Sequence, residues 1–258
     1  MVTHSPPMPT AVGARALYLG AGEHKRVTST DEALVVSNSQ KQTLRYPVAR
    51  LARIVSSPLV DWSGGALALC MRRGISVTWL DAKGQALGSC CPRVRSHLSF
   101  ATALELMLED PDGYVRYQHW LRSRRMKVLI QWGSATGQLV SPQLWESTKR
   151  EWVYGTQLVE HLPRRLRGHC QAWVTAQLLR HQLPPILWGP QGEAIDLDED
   201  LAELLWAEMN LHSGSLADST ESEREQTQLF ERWNARNGAA LLVHINSLQR
   251  TARREAYT

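Results

Sequence analysis

The chain has 258 residues, 43% of them hydrophobic and 21% charged, with a formal net charge of +4. That composition excludes a disordered chain and gives length for one large domain or two modest ones. The basic balance permits a polyanionic partner without demanding one.

Other classes drop out early. Cys70, Cys90, Cys91 and Cys170 show no C-x-x-C spacing, which argues against a zinc site or a disulfide framework and fits a reducing cytoplasm. "MVTHSPPMPT" does not read as a signal peptide, and no apolar run approaches the ~20 residues of a membrane span. No phosphate-binding G-x-x-x-x-G-K-[ST] loop or G-x-G-x-x-G turn occurs, and no Ser-His-Asp or Cys-His arrangement can be built from spacing. The ten Trp, against two Phe, read as packing residues.

Residues 1–13 carry Pro and Gly and read as a loose tail. Then come short apolar runs separated by turn signals. "ARALYLG", "EALVVS", "QTLRYPV" and "LARIVSS" have strand length and strand composition. Pro47 places its strand at an edge or at an end. From Ser63 the period changes: Leu67, Cys70 and Met71 have helical spacing, Ser63 suits an N-cap, and Gly74 suits a left-handed C-cap. Arg72 and Arg73 fall in the last turn, where the helix dipole favours cations. "ISVTWL" returns to period two with Ile75, Val77 and Trp79 on one face. "DAKG" turns the chain into a last strand, "QALGSC". The expected unit is a small sheet with one short helix.

Pro92 to Ser96 reads as a linker, and helical periods dominate beyond it. "LSFATALELMLED" ends at Pro111. "YVRYQHWLRSRRMKVLIQW" sets Tyr114, Tyr117, Leu121, Val128 and Trp132 near one face and carries the basic run Arg122, Arg124, Arg125 and Lys127. A further helix holds Trp145, Trp152 and Tyr154. A second basic cluster, Arg164, Arg165 and Arg167, opens a helix that stops before Pro184-Pro185. "ILWGPQGE" reads as a loop. "DLDEDLAELLWAEMNLH" is an amphipathic helix with Leu201, Leu204, Leu205 and Met209 inward. "SGSLADSTESERE" is polar, and the last helical region breaks at Asn237-Gly238. The fold class is therefore α+β: a β-rich N-terminal domain, 1–92, with one short helix, then an all-helical C-terminal domain, 93–258.

The succession "ALVVSNSQKQTLRYPVARLARIVSS", "GGALALCMRRG" and "ISVTWLDAKGQALG" resembles the N-terminal domain of the CRISPR-associated integrase-nuclease family of spacer acquisition. The resemblance covers roughly residues 15–92 and extends to about residue 132. It implies DNA binding in CRISPR adaptation, part of antiviral defence, with a homodimer formed through the β-domain, a small adaptation partner subunit and a cytoplasmic location. It also implies Mg²⁺ or Mn²⁺ if the chain is active, because a hard cation neutralises phosphate during in-line displacement.

The family's Asp lies in an "S-L-x-x-D-L-x-E"-like helix start, and "DLDEDLAE" resembles it with the Asp at Asp200. Carried over, the catalytic candidates are Asp200 and Glu160 and the metal candidates Asp200 and Glu203, with Glu146 and Glu151 further possibilities by order. The same acidic residues also suit a plain helix start, with Asp198 as N-cap. The family's His has no counterpart: the residue near its place is Trp188, and the nearest His upstream of Asp200 is His181. The DNA-binding candidates are Arg122, Arg124, Arg125, Lys127, Arg164, Arg165 and Arg167, where the alternative is a solvated helix face. Three readings result: a DNA-binding, integrase-like protein with reduced or absent catalysis, an active metal-dependent endonuclease or integrase, and a non-enzymatic helical scaffold.

Overall fold

The computed structural model describes residues 14–22, 24–40, 42–92, 100–135, 141–155, 165–187, 195–211 and 222–256. Strands come first: β1 (Arg15–Leu19), β2 (Lys25–Ser29), β3 (Ala33–Asn38), β4 (Thr43–Pro47), β5 (Leu51–Ser56) and β6 (Asp61–Trp62). Helix α1 (Gly64–Arg72) follows, then β7 (Val77–Leu80) and β8 (Ala86–Cys90). The rest is helical: α2 (Phe100–Glu109), α3 (Gly113–Ala135), α4 (Pro142–Thr148), α5 (Arg165–Arg180), α6 (Leu197–Leu211), α7 (Glu223–Asn237) and α8 (Ala239–Ala256). The α+β class expected from the sequence is what forms. The chain divides into two compact units, residues 1–79 with 88–92, and residues 80–87 with 93–258.

The β-rich region holds two four-stranded sheets where the sequence suggested one. Their orders are β1-β5-β7-β8 and β4-β3-β2-β6. The pairs β1/β5, β5/β7 and β2/β6 are parallel, and β2/β3 and β3/β4 antiparallel. The second sheet escaped the sequence reading because β2, "KRVTS", shows the core a single apolar residue, Val27, which is fully buried. β4 is an edge strand and ends on Pro47, as a residue without an N–H requires. Leu17, Val27, Leu34, Ile54, Leu69 and Val77 are at the centre of this unit's core.

Both ends of α1 follow from local chemistry. The Ser63 hydroxyl accepts a hydrogen bond from the Ala66 N–H, satisfying one orphan donor of the first turn. At the other end the Ile75 N–H donates to the Cys70 carbonyl (3.0 Å) and the Gly74 N–H to Met71 (3.3 Å). This is the Schellman pattern, and it needs Gly74 at φ +73°, where a side chain would be strained. The buried face is Ala66, Leu69 and Cys70, rotated by a residue from the expected stripe, so Leu67 and Met71 are half-buried. In the β7–β8 turn, Asp81 Oδ1 accepts from the N–H groups of Lys83 and Gln85 (2.8 Å each), and Gly84 takes φ +78°.

The helical unit is organised around α6, which packs on α5, α3 and α8. The inward stripe of Leu201, Leu204, Leu205 and Met209 is buried as expected, but so are Ala202, Trp206, Ala207, Glu208 and Asn210. The helix is enclosed on nearly all sides rather than amphipathic at a surface. The turn from α2 to α3 depends on Gly113, where a Cβ would lie 1.9 Å from the Met107 carbonyl oxygen. After α4 the chain widens into a π-helical turn, Lys149–Val153, that buries Trp152 completely. Tyr154 lies just beyond it and is exposed. The segment 212–221, noted for its polarity, lies outside the described residues, as do most of the Pro92–Ser96 linker and most of "ILWGPQGE".

Candidate functional site

An enclosed helix that opens with Asp198, Glu199 and Asp200 must find partners for its carboxylates, because isolated buried charge is costly. Two neighbouring helices supply them. The Tyr117 hydroxyl on α3 donates to Asp200 Oδ2 at 2.6 Å. Arg125, two turns further along α3, donates to Glu203 Oε2 at 2.9 Å. The same guanidinium donates to the Gly155 carbonyl (3.1 Å) and toward that of Trp152 (3.5 Å). From α5, Arg167 pairs with Glu199, and Gln171 Nε2 reaches Asp198 Oδ2 at 3.4 Å.

Burial dominates the electrostatics here. It pushes the Asp198 carboxyl up to about 6, with the Gln171 hydrogen bond opposing. Glu199 is raised by burial against the pull of Arg167. Asp200 is raised by burial, which outweighs the Tyr117 hydrogen bond and the Arg125 charge, while Glu203 and Asp196 add repulsion. The Tyr117 hydroxyl is raised by its own burial and by Asp200, so it stays a proton donor at neutrality.

Several candidates sit otherwise than expected. Asp198 is not the N-cap: α6 begins at Leu197, the Asp200 N–H bonds to the Asp196 carbonyl (2.9 Å), and Asp198 is in the first turn, 5% exposed. The basic run of α3 is not one surface. At ~100° per residue, four charges within six positions point in different directions. Arg122 and Lys127 are exposed, whereas Arg124 and Arg125 are buried, 7% and 8% exposed, and bonded within the helical unit. Arg165 starts α5, Arg167 is half-buried against Glu199, and Arg164 and Glu160 lie outside the described residues, as does Trp188. Glu146 pairs with Lys149 (3.6 Å) and Glu151 with Arg150 (3.9 Å) near the surface, both apart from the α6 carboxylates' partners.

The sequence sets Tyr117 near one face of α3 with Tyr114, Leu121, Val128 and Trp132, and nothing in it marks Tyr117 as the partner of Asp200. The available signal was the charge excess of a helix too apolar to lie at a surface.

Among the described residues, the carboxylates at the start of α6 do not assemble into a divalent-cation site. Among the described residues no three His, Cys, Asp or Glu side chains gather to hold a metal. One oxygen of Asp200 already accepts the Tyr117 proton, and the charge of Glu203 is met by Arg125. Among the described residues, no helix is long and apolar enough to cross a membrane.

Comparison with known proteins points to one class. Residues 18–117 match the family model for CRISPR associated protein Cas1. A Cas1 protein from Thermotoga maritima shares the fold at TM-score 0.66 and 14% identity, over 92% of this chain and 97% of its own. TtCas1 in complex with DNA aligns at TM-score 0.61 and 16% identity, over 93% of this chain and 92% of its own. A casposase bound to integration product aligns at TM-score 0.60 and 12% identity, over 94% and 91%. No curated protein matches the chain. The sequence match runs from β1 into α3, and the fold is shared along nearly the whole length.

Proposed function

We propose that this chain is a cytoplasmic DNA-binding protein of CRISPR spacer acquisition, integrase-like in fold, with reduced or absent catalysis. The match of residues 18–117 to the Cas1 family model supports the adaptation role, and the DNA-bound and integration-product-bound proteins of similar fold support DNA as its ligand. The observation that carries the catalytic part is the state of Asp200. The residue matching the family's metal-binding Asp is tied by Tyr117 at 2.6 Å, beside a Glu203 that Arg125 holds. A carboxylate committed to a buried hydroxyl and a neighbouring cation serves packing in place of a cation.

DNA contact falls to the exposed cations of α3, Arg122 and Lys127. Each phosphate contact releases counterions, so charge reversal at either residue weakens binding and lowers its salt slope by about one. Self-association through the β-rich unit is part of the same reading, since its edge strand β4 leaves backbone groups to be covered. It acts with a small adaptation partner subunit.

The test is an assay of branched DNA with Mg²⁺ or Mn²⁺, alongside binding by anisotropy and light scattering at tens of micromolar. Retained binding by a dimer with little cutting or joining is the expected result. Efficient Mn²⁺-dependent cutting that disappears in Asp200→Ala would overturn the catalytic part, and a strict monomer would overturn the dimer.

A further inference from the structure

Sulfur gathers at one place in the β-rich unit. Met71 is in the last turn of α1, and Cys90 ends β8, an edge strand of its sheet. Their sulfurs meet: Cys90 Sγ lies 3.5 Å from Met71 Sδ. Both side chains are half-buried and pack against the core cluster that contains Cys70. Burial first, and then the proximity of Cys90, pushes the Cys70 thiol up to about 12. All three residues belong to one compact unit, and neither thiol is in a disulfide.

We infer that Met71 and Cys90, with Cys70 as the third sulfur, form a binding site for one soft monovalent cation of the Cu(I) class. Thiolate and thioether ligands select such ions, whereas hard cations take oxygen. Two sulfurs on one trigonal or tetrahedral ion, with bonds of about 2.3 Å as between zinc and thiolate, stand roughly 3.8–4.0 Å apart. The observed pair has only to open by a few tenths of an ångström. Binding forms a bond from the ion to Cys90 Sγ and releases the thiol proton to solvent, and no electron is transferred. One thiolate and one monovalent ion sum to zero charge, which suits a half-buried place, while a divalent ion would leave net charge there. The negative end of the α1 dipole, at Met71, favours a cation further. Leu87, Gly88 and Ser89, just before Cys90, are exposed, so an ion reaches the thiol without opening the core. The thioether is essential to the donor set. Among the described residues no three His, Cys, Asp or Glu side chains gather, so the two thiols are completed by Met71.

The inference does not depend on DNA binding or on catalysis. The probe is Cu(I) itself, delivered without oxygen to the full chain from a coloured Cu(I) chelate whose bleaching reports transfer. The wild type is expected to take one tightly held ion from the chelate, and no transfer would overturn the inference. Cys90→Ser should abolish that binding. Met71→Leu, which keeps size and apolarity, should weaken it by about tenfold or more, at least what loss of an outer-shell partner costs a metal site. Unchanged affinity in Met71→Leu would overturn the inference, because capture by an ordinary thiol needs no thioether. Tight binding retained in Cys90→Ser would overturn it as well. X-ray absorption at the copper edge of the loaded wild type gives an independent reading if a variant does not fold. A ligand shell of sulfur alone is expected, and nitrogen or oxygen neighbours would contradict the site.

Discussion

Helix α1 and helix α6 are each flanked by conspicuous side chains, yet their ends are held in different ways. At α1, a hydroxyl three residues before its donor and a glycine two residues past the last turn settle where the helix begins and stops. At α6, the flanking carboxylates bond to Tyr117, Arg125, Arg167 and Gln171, which lie 27 to 83 residues away in sequence. Local capping is legible in order along the chain. Buried charge pairing is legible only in space, and it decides whether an acidic helix start is a site or a fastening.

The comparison can be broken or sharpened by substitution. The largest effect is expected at Arg125→Ala, which leaves Glu203 without its cation and frees the Gly155 carbonyl. With side-chain exposures of 10% and 15% for the pair, a loss of about 3–5 kcal/mol in urea unfolding is expected. A loss under about 1 kcal/mol would place this pair with ordinary surface contacts.

Asp198 gives a dependence on pH. Its folded carboxyl, near 6 against an ordinary 3.8, holds a proton that the unfolded chain releases. That contribution is complete below the ordinary value and is lost as pH rises through about 6. Asp198→Asn should therefore raise the melting temperature at pH 7.5 and have little effect at pH 4. Equal effects at both would remove buried ionisation as the cause.

The smallest effect belongs to the local end of the comparison. Ser63→Ala should cost about 1 kcal/mol by removal of one cap, with no change in pH dependence. A cost of several kcal/mol would mean that the start of α1 is also fixed from a distance.

Much of the fold could be read because its signals are local. All six of the strand runs lie where alternation and turn residues put them, and α1, α5 and α6 start or stop at the expected residues to within one or two. What escaped had non-local causes. β2 carries polar residues around one buried Val27 and is a strand because β3 and β6 flank it. The burial of α6 on its polar side, at Glu208 and Asn210, comes from α3, α5 and α8 closing around it. In the run Arg122 to Lys127, composition announced charge, but only the packing of α6 and α8 separates the two exposed cations from the two enclosed ones. The resemblance to an "S-L-x-x-D-L-x-E"-like start singles out Asp200 in the sequence. It carried no information about Tyr117, 83 residues earlier, which holds that carboxylate.

The central claim is that Asp200 is a structural tie, and a double-mutant cycle of Tyr117→Phe with Asp200→Asn tests it most directly. Unfolding by urea is measured for all four proteins, with and without Mn²⁺. A coupling of about 1.5–3 kcal/mol, the range for a hydrogen bond to a charged group, is expected, and Mn²⁺ should leave it unchanged. Negligible coupling, together with a Mn²⁺ stabilisation that depends on Asp200, would contradict the account and return that carboxylate to metal chemistry.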